Sequence, residues 1–245
     1  MLVTPHFILL NMPMTGATLV ADMLRAMYGE CAIESGRKHA GCEEIPETER
    51  GKPLLSVFRS PFERYVSQYH YGCWRKQPGM YCDPAPIRLE YPEYPNVTFK
   101  QFVRIANAYF LAAEDRSDPD ALQIGWHTEQ YLRFYGRDPA AACERIRARG
   151  VCADSLDGLE HQVHFLHADA DGLKRPLLSF LQQFDIAENS LARLDAVEPS
   201  SPQHTHELRL HRDVRKYYDS ALTAFVLQRE QWLFERFSHS VTVAA

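Results

Sequence analysis

Arg59, Pro61 and Ser67 carry the sharpest chemical signal in this chain. They follow an apolar run, Leu54–Phe58, and precede Phe62, Tyr65, Val66 and Tyr69, which recur at helical spacing. The pattern predicts a buried strand, a tight turn and a helix. Ser60 is the candidate cap, Pro61 suits the first turn, and Glu63 completes an S-x-x-E capping box. Arg59 then stands at a strand end and Ser67 lies two turns along the helix. A guanidinium and a hydroxyl so placed suit one anion in the crevice where parallel strands end. Arg64, on the same helix, reads as a solvated surface charge.

The N-terminal stretch repeats this logic. Phe7–Leu10 is a strand candidate and Pro13 opens a turn. Met14, Thr15, Gly16, Ala17 and Thr18 lead into a helix whose apolar face is Leu19, Val20, Met23, Leu24 and Met27, with Gly29 as its stop. Unbonded amides and the positive dipole end make such a turn an anion site. Thr15 and Thr18 can cap the helix, contact an anion, or do both. The turn is not a Walker A loop, because G-x-x-x-x-G-K-[ST] is absent. A second strand candidate, Cys31–Glu34, leads to Lys38 and His39. An imidazole titrates near neutrality and is suited to take a proton from a hydroxyl.

These elements need a domain to hold them. The chain has 245 residues, 45% hydrophobic and 24% charged, with a formal charge of −5. One large domain over residues 1–245 is expected. The acidic balance argues against nucleic acid as a partner, leaving only local basic pairs, Arg37-Lys38 and Arg75-Lys76. No apolar run approaches the roughly 18–20 residues that span a bilayer. The start lacks a charged leader region, so a cytoplasmic protein is expected. Six cysteines without C-x-x-C predict reduced thiols and no structural zinc; a bridge, if formed, would join Cys73 and Cys82.

Further elements follow from periodicity. Residues 71–98 hold five prolines and several tyrosines and read as a long ordered loop or lid. Trp74, Tyr81, Tyr91 and Tyr94 there can line an acceptor cleft or pack the loop. Helices are expected over Phe99–Glu114, Leu122–Tyr135, Pro139–Arg149 and Leu173–Phe184, a strand over Gln162–Leu166, a loop over Glu198–His204, and one long helix from Arg212 to Phe237. Strands alternating with helices argue an α/β domain with a central, mainly parallel sheet flanked by helices. His161, His164 and His167 are spaced by three, which does not share a strand face, so no metal is expected there. None is expected at His204, His206 and His211 either.

With these residues in view, the chain resembles sulfotransferases that use 3′-phosphoadenosine 5′-phosphosulfate (PAPS), in particular their carbohydrate-type and bacterial members. That family's 5′-phosphosulfate loop, Pro-Lys-Thr-Gly-x-Thr, matches Pro13-Met-Thr-Gly-Ala-Thr18. Its second motif, Arg-x-Pro with Ser eight residues after the Arg, matches Arg59, Pro61 and Ser67. The resemblance implies a P-loop-like three-layer fold and transfer of a sulfuryl group from PAPS to an acceptor hydroxyl. The acceptor would be a glycan, a glycolipid or a small metabolite. Residues 14–18 would hold the 5′ end of the co-substrate, Arg59 and Ser67 its 3′-phosphate, and His39 would be the general base, with no metal.

One position departs from that pattern. The family's loop Lys aligns with Met14, which has neither charge nor donor. Lys38 or Arg37 would have to replace it, or the enzyme would be slow, or the chain would be a non-catalytic nucleotide-binding protein of the same fold. A P-loop-like kinase is a further alternative, weakened by the same missing Lys.

Overall fold

The computed structural model of the chain describes residues 1–111, 124–149, 158–168, 172–197 and 213–238. The end of the helix expected over Phe99–Glu114, the start of the one expected from Leu122, Cys152, the loop from Glu198 with His204, and His206, His211 and Arg212 lie outside them. The fold is α/β. Its strands are β1 (Leu2–Val3), β2 (Ile8–Leu9), β3 (Ile33–Glu34), β4 (Leu54–Phe58) and β5 (Val163–His167). The helices are α1 (Ala17–Tyr28), α2 (Pro61–Tyr71), α3 (Cys73–Lys76), α4 (Pro84–Glu90), α5 (Phe99–Tyr109), α6 (Trp126–Tyr135), α7 (Pro139–Arg149), α8 (Lys174–Leu181) and α9 (Glu188–Ala192). Ser220–Arg229 and Gln231–Arg236 follow as two shorter helices.

The described residues fall into two compact units. The first comprises Met1–Arg59, Phe134–Arg137 and the described part of Glu160–Glu207. The second comprises the described parts of Ser60–Arg133, Asp138–Leu159 and Leu208–Ala245.

The first unit is built on a five-stranded sheet in the order β3-β1-β2-β4-β5. β2, β4 and β5 run parallel, with Ile8 opposite Leu54 and Leu54 opposite Val163. β1 is antiparallel to both its neighbours. The sheet is therefore mixed, not mainly parallel as the alternation of elements predicts. Residues 4–7 return the chain tightly, with the Thr4 hydroxyl donating to the Phe7 carbonyl at 2.7 Å, and such a short return allows only antiparallel pairing. The alternate residues Phe7, Leu9, Leu55, Val57 and Leu166 join Val20, Leu24 and Met27 of α1 and Leu177 and Phe180 of α8 in one buried cluster. At the centre of the sheet Ser56 donates to the Leu10 carbonyl at 2.8 Å and shares a 2.7 Å hydrogen bond with the Tyr135 hydroxyl. The Tyr135 ring meets Phe165 edge-on at 5.1 Å.

The second unit is helical. Tyr65 and Val66 of α2, Trp74, Phe102 and Val103 of α5, Trp126 and Val226 form its core. Residues 71–98 are more structured than the expected loop: they carry α3 and α4 and bury Trp74, Ile87, Tyr94 and Val97. Those aromatic rings pack the segment. Arg75 lies over the rings of Tyr69 and Trp74 at 5.2 and 5.0 Å, so that cation covers aromatic surface. Cys73 and Cys82 are not joined in a disulfide.

The single closing helix expected from Arg212 is instead interrupted. A 3-10 turn covers Val214–Tyr217, Asp219 caps Ser220–Arg229 by accepting from the Leu222 amide at 2.7 Å, and Glu230 separates the last two helices. At the junction Glu230 leaves helical geometry, with φ of −103° and ψ of 19°, and its carboxylate is wholly buried among hydrogen-bond donors. No described helix is long and apolar enough to cross a membrane.

Candidate functional site

β2 runs out at Leu10, whose amide donates to the Leu55 carbonyl at 2.8 Å. The chain then turns through residues 11–16 into α1, so the turn lies at the C-terminal end of a strand flanked by a parallel neighbour. Met14 has φ of 62°, in the left-handed region, where a residue other than glycine loses about 1–2 kcal/mol. Gly16, at the N-cap, has φ of 99°. A Cβ on Gly16 would lie 2.9 Å from Leu173 Cδ1, so this glycine serves both backbone conformation and close packing.

The Thr15 side chain is buried, and its hydroxyl donates to the Met12 carbonyl at 2.9 Å. That bond folds the turn and commits the only proton of the hydroxyl. Thr18 is exposed on the first turn of α1, and Ala17 is buried beneath it. The first amides of a helix have no acceptor within the helix. The turn thus offers an anion amides and one exposed hydroxyl.

Two side chains from distant sequence reach this turn. His39 is exposed as a whole residue, but its ring is partly buried against the turn, with Nδ1 2.7 Å from the Asn11 carbonyl. A carbonyl can only accept, so Nδ1 carries the proton and Nε2 keeps a lone pair. Burial pushes the His39 imidazole below its usual range; the Asn11 bond opposes this, and the neighbouring charge of Lys38 adds to it. The ring is therefore neutral at pH 7 and able to accept a proton at Nε2. Arg59, just past the end of β4, donates from Nη1 to the Met14 carbonyl at a long 3.5 Å.

The cations considered as replacements for a loop Lys fare differently. Arg37 is forked onto Glu44, with Nε at 2.9 Å and Nη2 at 2.7 Å from the two carboxylate oxygens. Lys38 is exposed, and among the described residues no ion pair ties it to the turn. Arg59 is the cation in contact with the backbone of Met14, a placement that its role as a strand-end residue does not foretell.

Ser67 lies half-buried on α2, in the second unit. The start of that helix differs from expectation. Ser60 makes no side-chain capping bond, so the S-x-x-E box is not formed; the Ser60 carbonyl accepts the Arg64 amide at 3.0 Å instead. Arg64 is not a solvated charge. It is 4% exposed and donates to Gln130 Oε1 at 2.7 Å, because α2 turns this face inward.

The second unit also holds a polar cluster that sequence reasoning missed. Glu230 accepts from the Tyr65 hydroxyl at 2.6 Å, from the amides of His127 and Thr128 at 3.1 and 2.9 Å, and from the Thr128 hydroxyl at 2.7 Å. Asn107 donates to the Tyr65 oxygen at 2.8 Å, and His127 Nε2 meets Gln68 Oε1 at 2.7 Å. Burial pushes the Glu230 carboxyl up while these donors pull it down. His127 is driven well below its usual range by burial, with Arg64 adding to the effect, so the ring is neutral. Each member lies far from its partners in sequence, and no local pattern signals it.

Among the described residues, no group of three or more His, Cys, Asp or Glu side chains gathers as metal ligands would. Comparisons with family models, curated proteins and solved structures found no match.

Proposed function

We propose that this chain is a PAPS-dependent sulfotransferase acting on a hydroxylated small molecule or carbohydrate. The observation that carries this reading is the convergence of His39 and Arg59 on the backbone of residues 11–14. A base of fixed tautomer and a guanidinium meet at a turn suited to anions. The reading includes a P-loop-like three-layer architecture, one catalytic domain over residues 1–245 and a cytoplasmic location.

In this mechanism the amides of residues 14–18 and the Thr18 hydroxyl hold the 5′ end of PAPS. The acceptor hydroxyl gives its proton to His39 Nε2. Its oxygen attacks sulfur in line, and the bond from sulfur to the bridging phosphate oxygen breaks. The electron pair leaves on 3′-phosphoadenosine 5′-phosphate. Negative charge grows on that leaving phosphate, and a fixed cation nearby lowers the barrier. Arg59 is assigned to the nucleotide phosphates, its contact with Met14 bringing it to the residue where the resembling family carries Lys. The share of Ser67 in the 3′-phosphate rests on the resemblance alone.

A second reading, a nucleotide-binding protein without catalysis, is favoured by Met14 itself, which supplies no charge. Calorimetric titration with 3′-phosphoadenosine 5′-phosphate and with ADP, on wild type and Arg59→Ala, tests the common part. Preference for the 3′-phosphorylated ligand, lost in Arg59→Ala, is expected; equal binding of ADP would sink the sulfotransferase reading, and binding of neither nucleotide would sink both. Transfer of labelled sulfate from PAPS to a panel of sugars and phenols then separates them. Binding without transfer to any acceptor would leave the second.

A further inference from the structure

A cleft of about 680 Å³ opens in the first unit at the N-terminal ends of β4 and β5, the end of the sheet opposite the 11–16 turn. Leu54 and Val163, paired first residues of those strands, form part of its wall. Ile45, Pro53 and Phe180 add apolar surface, and the His164 ring lies 4.8 Å from that of Phe180. Cys42 lines it too, its thiol pushed up to about 12 chiefly by burial, so it is a neutral wall group and not a nucleophile.

The charges around this cleft are unequally balanced. Lys52 is committed, donating to the Thr4 carbonyl at 2.8 Å and pairing with Glu49 at 2.6 Å. Arg50 pairs with Glu47 at 2.6 Å, but both side chains are well exposed, and such a pair is weak enough to exchange for a better one. Arg137 is rooted by its Nε, which donates to the Glu160 carbonyl at 3.2 Å. Among the described residues its Nη groups meet no carboxylate. His161 feels both guanidiniums: burial lowers its pKa first, then Arg137 and Arg50. Like charges are thus gathered beside an apolar wall without an acid to match them all, and guanidinium forks suit oxyanions.

We propose that this cleft binds a small aromatic oxyanion, with its phosphate or carboxylate on Arg137 and Arg50 and its ring against the Phe180 and His164 side. This site is separate from the 11–16 turn and does not rest on the sulfotransferase reading.

The test follows the imidazole resonances of the full chain by NMR, with the His161 signal identified by its loss in His161→Gln. The probe is phenyl phosphate, with phenol and inorganic phosphate beside it. Phenyl phosphate should move the His161 signal saturably, and Arg137→Gln should weaken that titration at least about tenfold, as loss of a charge-assisted fork predicts. Arg137→Lys, which keeps charge and loses the fork, should fall between. Arg59→Gln should leave the midpoint within about twofold, since independent sites do not couple. No movement of the His161 signal at about 10 mM, where a millimolar site is largely filled, would overturn the proposal. So would an unchanged titration in Arg137→Gln, or equal response to inorganic phosphate and phenyl phosphate.

Discussion

The turn after β2 and the cluster around Glu230 treat polar groups in opposite ways. Around Glu230 the donors of Tyr65, His127 and Thr128 are spent on one buried carboxylate. At the turn, a non-glycine residue sits at positive φ, a threonine hydroxyl holds the backbone, and the His39 Nε2 lone pair is left over. The Glu230 carboxylate itself is satisfied on both oxygens, although among the described residues the buried His127 Nδ1 beside it has no hydrogen-bond partner. A buried carboxylate so held favours one structure, while backbone strain gathers where ligands act. On the proposed function, the chemistry belongs to the turn and the Glu230 carboxylate to stability.

The largest effect should come from His39→Ala. If its Nε2 is the base, transfer should fall by about 10²–10⁴-fold with nucleotide binding kept. In wild type the rate should decline as pH falls below His39's depressed pKa, because only the neutral ring accepts a proton, and this acid limb should vanish in the variant. A rate within threefold of wild type (roughly 0.7 kcal/mol) would remove His39 from the chemistry.

Glu230→Gln strikes the other region. An amide has one acceptor oxygen where the carboxylate has two, and its NH2 would face donors. Two charge-assisted bonds of about 1.5 kcal/mol each are forfeited, giving a loss of about 3 kcal/mol in urea unfolding. A cost below about 1 kcal/mol would mean that the cluster is not a stabilising centre. The nearby Gly125 offers a steric version: a Cβ there would lie 2.2 Å from the Glu230 carboxyl carbon, so Gly125→Ala should cost about 1–3 kcal/mol.

Arg59→Ala should weaken 3′-phosphoadenosine 5′-phosphate by about ten- to a hundredfold, the range for a charged hydrogen-bonding group, without lowering the unfolding midpoint. The smallest effect sharpens the comparison most. Met14→Gly relieves left-handed strain of about 1–2 kcal/mol and adds about 0.5–1 kcal/mol of unfolded-state entropy. A net gain of about 0.5 kcal/mol by thermal unfolding is expected. A loss would show that the Met14 side chain, not its backbone, stabilises the turn.

The strand-turn-helix units were legible because their signals are local. Leu54–Phe58 forms β4 as the apolar run predicts, and α1 stops at Gly29. The turn residues Met14 to Thr18 fall between a strand and a helix as their composition predicts. What escaped was set by distant partners. β1 is two residues long and too short to show a period, so the mixed sheet was not visible. Arg64 reads as a surface charge until Gln130 is brought beside it. Glu230 sits inside an unbroken helical pattern, and its burial shows only when Tyr65, His127 and Thr128 are brought beside it. The Arg59 contact with Met14 likewise depends on how β2 and β4 lie side by side.

The pairing of β4 with β5 has a consequence for how the chain reaches this structure. Leu54 to Phe58 are matched residue for residue with Val163 to His167, across roughly a hundred intervening residues. Contacts so far apart in sequence form late, because chain-closure entropy is spent before they can reward it. On the ribosome β4 therefore emerges long before its outer partner, with one apolar strand edge open. Any fragment ending ahead of Val163 would keep that edge, a template for pairing with a second copy. Refolding yield should accordingly depend on protein concentration far more than on the stability of the finished fold.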